Sequence, residues 1–235
     1  VVLFGWFFWE WNWFSSEGEE LMLKAPFMVA MGNHEFYSKI YFNRFAMQGN
    51  EEWYSFDYGP VHVAVLNTDT SFLTAVSPEP FPADVGPGSV QYNWLEEDLS
   101  RVPDGQWKVV VLHRPPYSCS EHGNATDLQP VTELFDRYGV DVVFCGHDHS
   151  YQRSKPICGG EVGGEGPIYI VSAGAPLYEV HEAEWVEHAE SCLHYTYVEA
   201  DENTMTIKAK YLDGVVFDSI TLTRLTQLKK FLASS

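Results

Sequence analysis

Short apolar, β-rich runs recur at Val1–Phe4, Phe27–Met31, Val61–Leu66, Lys108–Leu112, Val140–Cys145 and Ile168–Ser172, and three of them stop on Asn or His motifs. Phe27–Met31 runs into Gly32-Asn33-His34-Glu35, Lys108–Leu112 into His113-Arg114-Pro115, and Val140–Cys145 into Gly146-His147-Asp148-His149. A strand that ends on such a residue delivers its side chain to the crevice at one end of a sheet, where α/β folds place their chemistry. Amide oxygen and imidazole nitrogen arriving from three strands suit a borderline divalent or trivalent metal. One strand-end histidine is usually just a satisfied polar residue. Three such segments in this order make a site.

Two amphipathic helices separate the runs. Ser89–Val102 puts Val90, Trp94, Leu95 and Leu99 on one stripe and Glu96, Glu97 and Asp98 outside it. Asp127–Tyr138 does the same with Val131, Leu134, Phe135 and Tyr138, and ends at Gly139. Strand and helix signals in alternation predict βαβ units. The end of the chain changes character: His194–Glu199, Thr204–Tyr211 and Val215–Thr223 read as an antiparallel meander with Asp-Glu-Asn and Asp-Gly turns. Ser77–Gly88 and Gly159–Gly166 read as Pro/Gly-rich connectors. With no internal repeat or composition break, residues 1–235 are expected to form a single α/β domain, a two-sheet β sandwich flanked by helices. Val1 falls inside what reads as a strand, so the domain is expected to be N-terminally incomplete and to lack its opening strand.

The balance of 14 basic against 33 acidic residues, net −19, argues against nucleic acid or an anionic membrane as partner. It also means that an anionic substrate needs a locally positive site, which bound metal would create. Val1–Trp9 is too short to span a bilayer and lacks the basic start and small-residue cleavage site of a signal peptide. Cys145 reads as a core thiol. Cys158 and Cys192 flank the Gly-rich connector and are expected to pair, whereas Cys119 would need a partner further upstream. Together with the sequon Asn124-Ala125-Thr126, the cysteines and the acidity point to a secreted, lysosomal or vacuolar glycoprotein.

The three strand-end motifs resemble those of the calcineurin-like metallophosphoesterases, and more narrowly the long-form purple acid phosphatases of plants and animals. The segments Gly88–Leu99, Gly146–Arg153 and Asp218–Thr223 carry the same resemblance across nearly the whole chain. It implies the metallophosphoesterase fold, layered α/β/β/α, and a centre of two metal ions, one iron and one iron, zinc or manganese. It also implies that Asn33, His113 and His147 bind the divalent metal and that His149 binds the ferric one. His34 would stand beside the leaving oxygen, and His122, in a loop that varies, would face the substrate. The implied reaction is phosphomonoester hydrolysis by a metal-bound hydroxide, with imidazoles assisting the departing alcohol. The implied partners are a small phosphorylated substrate and, within the family, a second copy of the chain as a homodimer.

The chain departs from the family at one motif. A Gly-Asp-x-x-Tyr whose Asp bridges both metals and whose Tyr binds the ferric ion aligns with Gly5-Trp6-Phe7-Phe8-Trp9. Indole offers only an N–H donor, so Trp6 and Trp9 are non-ligands at ligand positions. Three accounts stay open: a true replacement filling the vacated metal cavity, an aromatic core segment aligned differently, or Asp and Tyr misread as Trp where bound metal makes their outline bulky. Two alternatives to the phosphatase therefore stand, a catalytically impaired relative with a binding or structural role and a phosphodiesterase or nucleotidase. The loops Asp69–Pro87 and Pro116–Asp127 would set the substrate.

Overall fold

The computed structural model describes residues 4–69 and 84–224. Its largest element is a seven-stranded sheet of order β1-β2-β3-β4-β8-β5-β9, formed by β1 (Tyr54–Tyr58), β2 (Val61–Val65), β3 (Trp107–Leu112), β4 (Val142–Cys145), β5 (Tyr151–Ser154), β8 (Ile168–Ser172) and β9 (Val186–Glu190). Strands β2, β3, β4 and β8 are mutually parallel, while β1 and β5 run antiparallel to their neighbours. β6 (Ile157–Cys158) and β7 (Glu161–Val162) make a small ribbon where a plain Gly-rich connector is expected. β10 (His194–Ala200), β11 (Thr204–Tyr211) and β12 (Val216–Thr223) form the expected antiparallel meander.

Parallel strands need crossover helices, and the sequence supplies them. α3 (Val90–Arg101) links β2 to β3, and α4 (Gln129–Arg137) links β3 to β4. Ser89 caps α3 by accepting a hydrogen bond from Tyr92 N. Leu95, Leu99, Val131, Leu134 and Phe135 pack on one face of the large sheet, against Ala64, Val110, Leu112, Val143 and Val171. The other face buries Trp107, Val109, Val142, Ile168 and Ile170 against Met205, Ile207 and Ala209 of the meander. The core is thus two contiguous layers, and each side of the central strands is covered.

Several expectations need correction. Val90 belongs to no apolar stripe: it is 75% exposed, and Gln91 is buried in its place, bonded through its amide to Asn67 N and O at 2.8 and 2.9 Å. His62 is buried between Asp57 and Asp98, both at 2.9 Å, because α3 covers its face of β2. Phe27–Met31 joins no ladder; Met31 is buried with Trp11 and Tyr41 instead. Cys158 and Cys192 are free rather than paired: Cys158 is exposed on the β6–β7 ribbon, and Cys192 lies beside His194. Cys119 is free and buried, and Cys145 is buried as expected. The strand expected at Val1–Phe4 and most of the Ser77–Gly88 connector lie outside the described residues.

Two helices were not foreseen. α1 (Phe8–Met22) and α2 (Lys39–Arg44) bracket the Asn33 motif. Their buried contact is a small aromatic cluster of Trp11, Tyr41, Phe14 and Phe45 with Met31. Arg44 ties the two together through Ser15 and Asn12.

Candidate metal and phosphate site

The parallel strands β3, β4 and β8 end at Leu112, Cys145 and Ser172, and the residues that follow line one cavity of about 320 Å³. Asn33, His34, His113, His122, His147 and His149 all face it, together with Glu35, Gly146, Ser172–Ala175 and Tyr178. The three sequence motifs, more than a hundred residues apart at the extremes, therefore meet.

At the centre, His113 Nε2 lies 2.7 Å from Asn33 Oδ1 and 3.2 Å from His147 Nδ1. The approach depends on Gly32, where an added Cβ would fall 2.7 Å from the His113 ring. His147 sits at φ 68°, a left-handed conformation that costs a non-glycine residue about 1–3 kcal/mol and is typical of residues aimed at a site. Burial, and then the neighbouring His147, push the His113 imidazole down to about 3. Burial and His122 push His147 down to about 4. Both rings are neutral near pH 7 and present lone pairs, which metal binding requires. Glu35 also lines the cavity, but its carboxylate is turned onto Gly32 N at 2.7 Å, and burial raises it to about 7.

His149 is held differently. Its Nδ1 lies 2.7 Å from Pro176 O, and its ring stacks on Tyr178 at 4.6 Å with an interplanar angle of 6°. An imidazole that donates one N–H to a backbone carbonyl keeps its other nitrogen for a ligand. The His122 ring lies 4.3 Å from that of His147 and binds Asp148 through Nδ1 at 2.6 Å.

These residues can be tested against the metals that the motifs imply. A cation bound at about 2.0–2.2 Å holds its donors roughly 3 Å apart, which is the spacing of His113 Nε2 from Asn33 Oδ1 and from His147 Nδ1. That set fits one divalent ion. It counts only two imidazoles and an amide, and among the described residues no group of three or more His, Cys, Asp or Glu side chains is arranged to hold a metal. The second metal does not fit. It would have His149 and no anionic ligand.

The stretch aligned with the missing ligands does lie beside the site. Gly5 N donates to His34 O at 2.8 Å, and a Cβ on Gly5 would fall 2.3 Å from Glu35 O. From there Trp6 and Trp9 turn outward, 54% and 63% exposed, and neither lines the cavity. They do not fill a vacated metal pocket. Nor is the run mainly core: of Trp6, Trp9, Trp11 and Trp13 only Trp11 is buried, with its Nε1 donating to Gly5 O at 2.7 Å. Tyr178 and Ser172–Ala175 carried no motif. Asp148 lay in plain view inside Gly146–His149, but nothing local reveals its partner.

The sequence profile of the calcineurin-like phosphoesterases matches residues 7–151. The chain is 30% identical to acid phosphatase type 7 of Mus musculus over 69% of its own length and 42% of that protein's. It is 32% identical to purple acid phosphatase 23 of Arabidopsis thaliana over 76% of its length and 40% of that protein's. It therefore spans less than half of either relative. Among solved structures, a purple acid phosphatase from yellow lupin (Lupinus luteus) seeds superposes with a TM-score of 0.66 at 24% identity, over 76% of this chain and 34% of that one. A protein described as the anchor in the inner membrane complex of Plasmodium superposes at 0.60 with 17% identity, over 88% and 71%.

Proposed function

The chain belongs to the calcineurin-like phosphoesterase family, and on that premise we propose that it hydrolyses phosphomonoesters with a divalent metal held by Asn33, His113 and His147. The observation that carries this is the convergence of those three donors at the carboxyl ends of the parallel strands. The bound metal would supply Lewis-acid stabilisation of phosphoryl oxygen and positive charge in a strongly acidic protein. His34 and His122, on the same wall, would bind phosphoryl oxygens and pass a proton to the departing alcohol. The relatives named as acid phosphatases support a phosphoester substrate and activity at acid pH. The family's two-metal centre of iron with zinc, manganese or iron would require ligands beyond those that face this cavity.

A second reading, a catalytically impaired relative that keeps the fold for binding, is favoured by one observation: Trp6 and Trp9 stand exposed at the positions of the bridging and ferric ligands. The same fold does occur in a protein described as an anchor. One experiment separates the two. The chain is stripped with chelator, reloaded with zinc, manganese or iron, and assayed on p-nitrophenyl phosphate, bis(p-nitrophenyl) phosphate and nucleotides at acid pH. Metal-restored turnover of the monoester supports the hydrolase, preference for the diester redirects it to phosphodiesters, and no turnover with any metal leaves the binding role.

A further inference from the structure

Behind His122 lies a buried polar network that binding of a metal does not explain. Asp148 is fully buried, and both of its carboxylate oxygens accept hydrogen bonds within it. Its Oδ1 accepts from His122 Nδ1 at 2.6 Å and from His122 N at 3.2 Å, while its Oδ2 accepts from Ser118 Oγ. Ser118 Oγ in turn accepts from Gln152 Nε2 at 3.1 Å and Ser120 N at 3.2 Å. Gln152, on β5, also receives Cys119 N at 2.8 Å. The loop that carries His122 is thus tied through Asp148 and Gln152 to the turn after β4 and to β5, and the tie ends on the imidazole.

We propose that Asp148 is a positioning residue: its carboxylate fixes His122 as the Nδ1–H tautomer and turns Nε2 into the cavity beside His147. Burying a carboxylate is costly unless hydrogen bonds satisfy it. Here three donors do so, and two of them belong to His122. A carboxylate behind an imidazole selects the tautomer and restrains ring rotation. Without it, the His122 ring, exposed on its cavity side, is free to turn about its own side-chain bonds. The two neighbours of Asp148 in sequence, His147 and His149, face the cavity directly. One tetrapeptide therefore builds a wall of the site and orients a residue from another loop.

The proposal rests on the phosphoesterase reading for its kinetic consequence but not for its structural one, and two measurements keep these apart. The first is the nitrogen NMR spectrum of the histidines in the whole wild-type chain at fixed pH, with His122 assigned by its loss in His122→Ala. An Nδ1–H tautomer is expected; Nε2–H, or rapid exchange between the two, overturns the proposal whether or not the protein is an enzyme. The second is a cycle of Asp148→Asn, His122→Ala and the double variant on p-nitrophenyl phosphate. Asp148→Asn is expected to lower kcat by about 10–100-fold with little change in KM, and to add nothing in the His122→Ala background. Additive losses would mean that Asp148 acts only through stability. If the wild type itself turns over no substrate, the phosphoesterase reading fails and the tautomer alone decides.

Discussion

The histidine wall at the ends of β3 and β4 and the aromatic segment Gly5–Trp13 lie against the same turn, Asn33–Glu35, yet they are built on opposite terms. The wall is held from behind. Leu112 and Cys145, which precede its motifs, are buried in the helix-facing core, and Asp148 and Gly32 fix the rings that emerge. The aromatic segment is held at Gly5, Glu10 and Trp11 and through Asn12 by Arg44, and leaves Trp6, Phe7, Phe8, Trp9 and Trp13 exposed. Chemistry that needs donors placed within fractions of an ångström belongs on the first kind of support. Of the residues aligned with the family's ligand set, those on the wall are kept and those on the aromatic segment are gone.

This contrast can be broken by experiment. The largest effect is expected under the wall: Leu134→Ala, a fully buried contact of α4 with the large sheet, should cost about 2–5 kcal/mol in urea unfolding. A loss below 1 kcal/mol would mean that the wall is not rigidly backed. At the wall itself, His147→Ala should weaken zinc binding in calorimetry by more than about 100-fold, beyond the 10–100-fold typical of an outer partner. Retained affinity would remove His147 from the metal set.

Next comes the clamp between β2 and α3. Burial pushes the His62 imidazole down, but its bonds to Asp98 and Asp57 outweigh this and leave it above the ordinary value. A group raised in the folded state contributes below its unfolded value of about 6.5, and the contribution fades as pH rises through the folded one. The advantage of wild type over His62→Gln should therefore be about 1–3 kcal/mol at mildly acidic pH and shrink toward alkaline pH. An advantage that grows with pH would show His62 to be held neutral. The smallest effect is expected on the aromatic segment. Trp9→Ser should change stability by no more than about 0.5 kcal/mol, and a cost above 2 kcal/mol would mean that the ridge is packed in solution.

The same contrast governs what could be read from sequence. β2, β3, β4 and β8 were legible because each buries a short apolar run, the meander because Asp-Glu-Asn and Asp-Gly turns punctuate its strands, and α3 and α4 because their apolar faces meet one side of a sheet. The gathering of Asn33, His113, His147 and His149 follows from the parallel order of the strands. The burial of His62 was not legible because β2 is covered on both faces, where alternation carries little information. Val90 was misread because a first-turn residue next to a cap can face water. α1 escaped notice because its aromatic run has neither strong helix formers nor a clear apolar stripe. The Asp148–His122 contact joins two loops, and only tertiary structure can reveal it.

The central claim is that this chain carries one half of its family's metal centre. The direct test is to saturate metal-free protein with zinc, remove the excess and measure metal per chain by elemental analysis, with His147→Ala as control. About one equivalent, lost in the variant, is the expected result. Two tightly held equivalents would show that a second site forms despite Trp6 and Trp9, and none would show that Asn33, His113 and His147 hold each other rather than a metal.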